Sequence, residues 1–196
     1  MSALYDIVIS VAIGGIVLAM LITFNGNIVE EASGQTIRMM AQTDLTAVID
    51  VVDFEFRKMG YNLSGSDSAI VYADSSKIKF RGDFNNNGTV QTLTYYLDPT
   101  AASGHANKNT RILYRAVDAE PAQTINLGIT RFRLAYFDKN GIPFTGYPVS
   151  KPSQIKSFKI VLNIESTVPY KASTEKYIKF NPGVYWERTF KPKNIR

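Results

Sequence analysis

Residues Ile7–Phe24 read IVISVAIGGIVLAMLITF, eighteen positions without a charge, whose only polar side chains are Ser10 and Thr23. As an α-helix the run spans about 27 Å, close to the hydrocarbon thickness of a bilayer. Such a segment needs a non-aqueous partner, either lipid or other apolar helices. A secretory signal would place basic residues before the run and a small-residue cleavage site after it. Here no Lys or Arg precedes Arg38, and Phe24-Asn25-Gly26-Asn27 is a poor cleavage site. A simple anchor normally carries Lys or Arg on one flank to set its orientation. These flanks instead carry Asp6, Glu30 and Glu31. That pattern favours a helix used in assembly over a plain anchor.

A second helical pattern runs from Thr36 to Met59. Leu45, Val48, Ile49, Val52 and Phe56 recur at helical spacing and define one apolar face. Asp44, Asp50, Asp53 and Glu55 are expected as a solvated acidic stripe rather than paired catalytic carboxylates. Gly60 is a C-cap candidate, and Arg57 and Lys58 suit the negative end of the helix dipole. Gly14-Gly15 and Asn25-Gly26-Asn27 are weak points, read equally as bends or breaks and as places of local unwinding or close helix packing. If the two patterns are continuous, one helix runs on the order of 85 Å, apolar all round in its first half and one-sided in its second.

From Tyr61 the period changes to two. Strands are predicted at Ala69–Tyr72, Lys77–Arg81, Val90–Leu97, Arg111–Val117, Ile129–Phe137, Ile155–Ile164, Tyr177–Phe180 and Val184–Phe190, separated by turn-rich stretches. The predicted fold is α+β: a long N-terminal helix, hydrophobic and then amphipathic, packed on a mostly antiparallel sheet. Three regions are expected, a transmembrane or filament-core half-stem (1–24), an amphipathic half-stem (25–60) and a β-rich head (61–196).

Charge is unevenly placed along the chain, whose net charge is +5. Residues 1–60 carry three basic and seven acidic side chains; residues 61–196 carry nineteen and ten. A basic head suits an anionic partner, or is a solvated basic face. Lys176, Lys179, Tyr185 and Trp186, in a C-terminal region crowded with aromatics, are candidate surface-binding residues for a ligand, polysaccharide or single-stranded DNA. Cysteine is absent, which rules out thiol catalysis and thiolate metal sites, and the single histidine, His105, lies in a polar loop as a structural or incidental residue. Asp83-x-Asn85-x-Asn87-Gly88 matches the first half of a calcium loop, but Thr94 stands where the bidentate Glu belongs; the same residues also make an ordinary hairpin turn. Calcium bound through Asp83, Asn85 and Asn87 is the one cofactor the sequence suggests. No nucleophile elbow, P-loop, dinucleotide fingerprint or zincin motif occurs, so no enzyme is expected.

The stretch Leu4-Tyr5-Asp6-Ile7-Val8-Ile9-Ser10-Val11-Ala12-Ile13-Gly14 resembles the mature N-terminus of the type IV pilin and pseudopilin superfamily, whose pattern is close to T-L-I-E-L-L-V-V-I-A-I. Aligning Val11-Ala12-Ile13 with the V/I-A-I step makes Ser2 first and Asp6 fifth, where the family has a glutamate. Phe54–Tyr61 is similar to the D-L-R-x-A-G-Y end of the stem helix in PilW-type minor pilins and J-type pseudopilins of type II secretion; Gly60-Tyr61 matches outright. The resemblance implies a subunit held in the cytoplasmic membrane and then polymerised into a periplasmic or extracellular filament, alone or with other pilin-like subunits. It implies a prepilin peptidase and an assembly platform as partners. It assigns Asp6 to pairing with a neighbouring subunit's amino terminus, and places Leu4, Tyr5, Gly14 and Gly15 in the assembly region. The alternative is a membrane protein with the same single span that does not polymerise and whose head binds a ligand, polysaccharide or DNA.

Overall fold

Apolar residues recurring at 41, 45, 48, 52, 56 and 59 determine how helix meets sheet. In the computed structural model, which describes residues 2–65, 67–169, 180 and 183–195, a single helix α1 runs over Ser2–Arg57. At 56 residues it is about 84 Å long. It passes through Gly14, Gly15 and Gly26 without interruption, so neither weak point breaks it. A Cβ at any of these glycines would meet nothing within 4 Å, so no packing within the chain demands a glycine there. Ala41, Leu45, Val48, Val52, Phe56 and Met59 are buried; Ile49, expected on the same face, is half-buried at its margin.

Among the described residues the head is a seven-stranded meander: β1 (Ile70–Ala73), β2 (Lys77–Gly82), β3 (Gln91–Leu97), β4 (Arg111–Val117), β5 (Gln123–Phe137), β6 (Ser157–Ile164) and β7 (Val184–Phe190). Each strand pairs antiparallel with the next, in sequence order. The α+β architecture read from the sequence is the one observed. Two strand starts differ by more than one residue. β5 begins at Gln123 rather than Ile129, because Gly128 sits mid-strand at φ 72° and interrupts the alternation. A Cβ there would lie 2.2 Å from the Glu165 carbonyl, so the bulge needs glycine. β6 begins at Ser157, after a 3-10 turn at Pro152–Gln154. The strand expected at Tyr177–Phe180 lies outside the described residues except Phe180, which is in no strand.

The bulge divides the work of β5. Its first part pairs with β4, from Gln123↔Arg115 to Ile129↔Arg111, and its second pairs with β6, from Ile129↔Ile164 to Phe137↔Ser157. The turn between β1 and β2 bonds the second part as well: Leu134 N–H donates to the Ser75 carbonyl at 2.9 Å, and the Tyr136 hydroxyl to the Asp74 carbonyl at 2.9 Å.

Phe56 is the hub between stem and sheet. Its ring centroid lies 4.7 Å from Phe80, 5.4 Å from Tyr95, 5.5 Å from Phe158 and 5.9 Å from Phe190. Burial of each large apolar side chain contributes about 1.5–3 kcal/mol, so Leu45, Val48, Val52 and Phe56 of α1, with Met59 just beyond it, hold stem and head together as one unit.

Candidate functional site

Ala3–Val29 is exposed at every position, and no part of the sheet covers it. Sixteen large apolar side chains from Leu4 to Val29 stand free. Leaving each outside an apolar environment costs on the order of 1–2 kcal/mol, tens in sum. The helix is long and apolar enough to cross a membrane. Its hydroxyls fit that environment: Ser10 Oγ donates to the Asp6 carbonyl at 2.7 Å and Thr23 Oγ1 to the Ala19 carbonyl at 2.9 Å. Neither needs a partner from lipid or water. Leu4 and Tyr5 are exposed on the first turns, and Gly14 and Gly15 present bare backbone near the middle of the apolar run. Among the described residues no cation pairs with Asp6. A carboxylate at the rim of an apolar segment is costly in lipid until it meets a positive group.

Charge returns at Glu30, Ile37 is the first apolar side chain half-buried against the head, and full burial begins at Ala41. Glu55 departs from the expected solvated stripe: it is 5% exposed. Position 55 is three residues after Val52 and seven after Val48, so helical spacing turns it toward the sheet. There it accepts from Arg115 Nε at 2.9 and 3.1 Å, from Arg115 Nη2, and from the Tyr95 hydroxyl. Arg115 Nη1 also donates to Gln123 Oε1 at 3.0 Å. The bond to Glu55 holds the Arg115 guanidinium above its ordinary value, and burial, then the Glu55 charge, raises the Tyr95 phenol above its own. Asp53, half-buried, pairs with Arg57 at 2.7 Å and with Arg188 of β7 at 2.6 Å. Asp50 is exposed, as the solvated stripe predicts, whereas Asp44 is half-buried in a cleft against Thr167 and Val168, where burial raises its carboxyl above the ordinary value.

The loop after β2 brings Asp83, Asn85 and Asn87 together, with their oxygens turned onto backbone amides. Asp83 accepts from the N–H groups of Asn87 at 3.2 Å and Gly88 at 2.9 Å; Asn85 accepts from Asn87 at 3.3 Å, and Asn87 from Thr89 at 2.8 Å. Lys58 Nζ meets the Phe84 carbonyl at 2.7 Å and Asn86 Oδ1 at 3.0 Å. These bonds from side-chain oxygens to loop amides are those of a closed hairpin turn, and the ammonium lies on Phe84 and Asn86 rather than on the three candidate ligands. Among the described residues no group of three or more His, Asp or Glu side chains is arranged to hold a metal. His105 Nδ1 lies 2.9 Å from Thr110 Oγ1, within the loop before β4.

Tyr185 and Trp186 are neighbours in β7 and point to opposite faces. Tyr185 is exposed and bonds Glu187, whereas Trp186 packs toward the core, 6.5 Å from Phe190. They do not form one stacking surface. Lys176 and Lys179 lie outside the described residues. No protein-family model matches the chain, and no curated protein matches it.

Proposed function

We propose that this chain is a structural, non-enzymatic subunit of a type IV pilus-like or type II secretion-like filament. The observation that carries the reading is the stem. A single unbroken helix leaves Ala3–Val29 wholly exposed and apolar, then buries one face of Ala41–Met59 in a β-rich head. The resemblance of Leu4–Gly14 to a mature pilin N-terminus supports the same reading. Lipid satisfies the apolar segment before assembly, in the cytoplasmic membrane. In the filament, which is periplasmic or extracellular, neighbouring stems replace lipid and keep the same surface dry. Glycines at 14 and 15 allow neighbouring backbones to approach closely. Asp6 sets the register, because a carboxylate among apolar helices is stable only opposite a cation such as a neighbour's amino terminus. Processing and polymerisation are assigned to a prepilin peptidase and an assembly platform.

The test is Asp6→Ala in cells that express the protein. Membrane insertion should be unchanged, because the variant is more apolar, while the filament fraction released by shearing falls at least tenfold. Equal filament yield from wild type and variant contradicts the role of Asp6.

A further inference from the structure

The pole of the head farthest from the apolar segment carries two contiguous clefts. The first, about 440 Å³, opens where α1 ends and is lined by Arg57, Tyr61, Arg188, Lys191 and Lys193 among others. The second, about 330 Å³, shares Thr189 and Lys191 with it and adds Lys139 and Lys156. Six cations therefore line one continuous tract. One acid, Asp138, also lines the second cleft, and Asp53 lies beside the first; both are engaged within the chain. Asp138 accepts from the amides of Asn140 and Ile142, both at 2.8 Å. Asp53 lies between two guanidiniums, its Oδ2 on Arg57 and its Oδ1 on Arg188.

That last arrangement orients the arginines without neutralising them. One carboxylate, 22% exposed, faces two guanidinium groups whose side chains remain 56% and 41% exposed, so N–H donors and a net positive charge are left for the cleft. Lys191 and Lys193 lie on a fixed tail. Ile195 is buried in the core, and the Asn194 carbonyl sits so close to Gly60 that a Cβ there would lie 2.5 Å from it. Tyr61, nearly half exposed, adds an aromatic ring to the first cleft.

From this geometry we propose that the tract binds a single strand of nucleic acid, with the arginines and lysines on successive phosphates and Tyr61 under a base. Planar guanidinium forks match phosphate oxygens two at a time, and a basic groove with an exposed ring is the usual way to hold a strand without reading its sequence. The tract lies at the opposite end of an 84 Å helix, by about 1.5 Å per residue, from the start of the stem, so it faces away from a membrane that the stem occupies. The site is on the head and does not depend on polymerisation.

The experiment uses the full chain in nanodiscs of zwitterionic lipid and a fluorescein-labelled single-stranded oligonucleotide of about 20 nucleotides, read by anisotropy between about 50 and 200 mM salt. Lys191→Ala/Lys193→Ala should weaken binding at least about tenfold and flatten the log–log salt slope by about 1.4, two single-strand phosphate contacts at about 0.7 each. Lys77→Ala/Lys79→Ala removes equal charge from exposed positions of β2 and should stay within about threefold of wild type. Tyr61→Leu should weaken binding at least about fivefold with the salt slope unchanged. Absence of oligonucleotide binding overturns the proposal, as does equal weakening by the two lysine pairs. So does a duplex that binds more tightly than the strand, or polygalacturonate that competes as well as unlabelled oligonucleotide at matched charge.

Discussion

Glu55 is the residue on which the stem–head joint is most exposed to a single change. Its carboxylate is buried with Arg115 and Tyr95 as its partners. Truncation by Glu55→Ala leaves the guanidinium without a counter-charge and should cost about 3 kcal/mol, because breaking a buried pair strands the remaining charge. Tyr95→Phe removes one donor and should cost about 1 kcal/mol. Chemical denaturation of the two variants in detergent checks both values. The pH dependence has a definite sign. The Tyr95 and Tyr136 phenols are held above their ordinary value of 10.0, first by burial, so the folded chain keeps protons that the unfolded chain releases. Stability is therefore intact below about pH 10 and falls as pH rises past it. Melting temperatures measured from pH 8 to 11 should decline above 10, less steeply in Tyr95→Phe. Glu55 also marks the reach of sequence reading. A carboxylate among Asp44, Asp50 and Asp53 looks solvated by type, although its spacing from Val48 and Val52 places it inside. Its partner, sixty residues away on β4, is beyond any local pattern.

At the scale of elements, the helix and most strands were legible because each follows one period, 3.6 or 2, set by what must be buried. β5 was legible only from Ile129, since its first half is separated by a bulge whose glycine satisfies the Glu165 backbone rather than the alternation. The end of α1 was legible from Gly60. Its φ of 76° disfavours a side chain, and the Asn194 carbonyl leaves no room for one. Gly60→Ala should therefore cost more than the roughly 1 kcal/mol of conformational strain alone. A comparison with Gly34→Ala separates the two contributions, because Gly34 lies in an α-helix with nothing within 4 Å of an added Cβ and the substitution there should be stabilising by about 0.5–1 kcal/mol. Equal melting temperatures for the two variants would contradict the close approach at Gly60. The basic tract was legible only as a basic, aromatic-rich C-terminal region, not as a set of residues. Its cations come from the end of α1, the β5–β6 connection, the end of β7 and the tail after it, and only the meander register brings them together.

On the whole-molecule scale, the chain divides between an apolar half-stem that cannot stay in water and a head whose core is completed by the other half of the same helix. Phe56→Ala should test how firmly they are joined. Removing the ring from among Phe80, Tyr95, Phe158 and Phe190 should cost about 3–5 kcal/mol, read by denaturation, and leave the exposed segment inserted in membranes. Membrane insertion alone is common to a filament subunit and to a single-span protein that never polymerises. The measurement that separates them is the fate of the wild-type chain after cells are sheared and the released material is sedimented. A filament subunit should appear in the released high-molecular-mass pellet and disperse from it on addition of detergent. Retention of the whole population in the membrane fraction, extracted by detergent only as monomer, would contradict assembly through the stem.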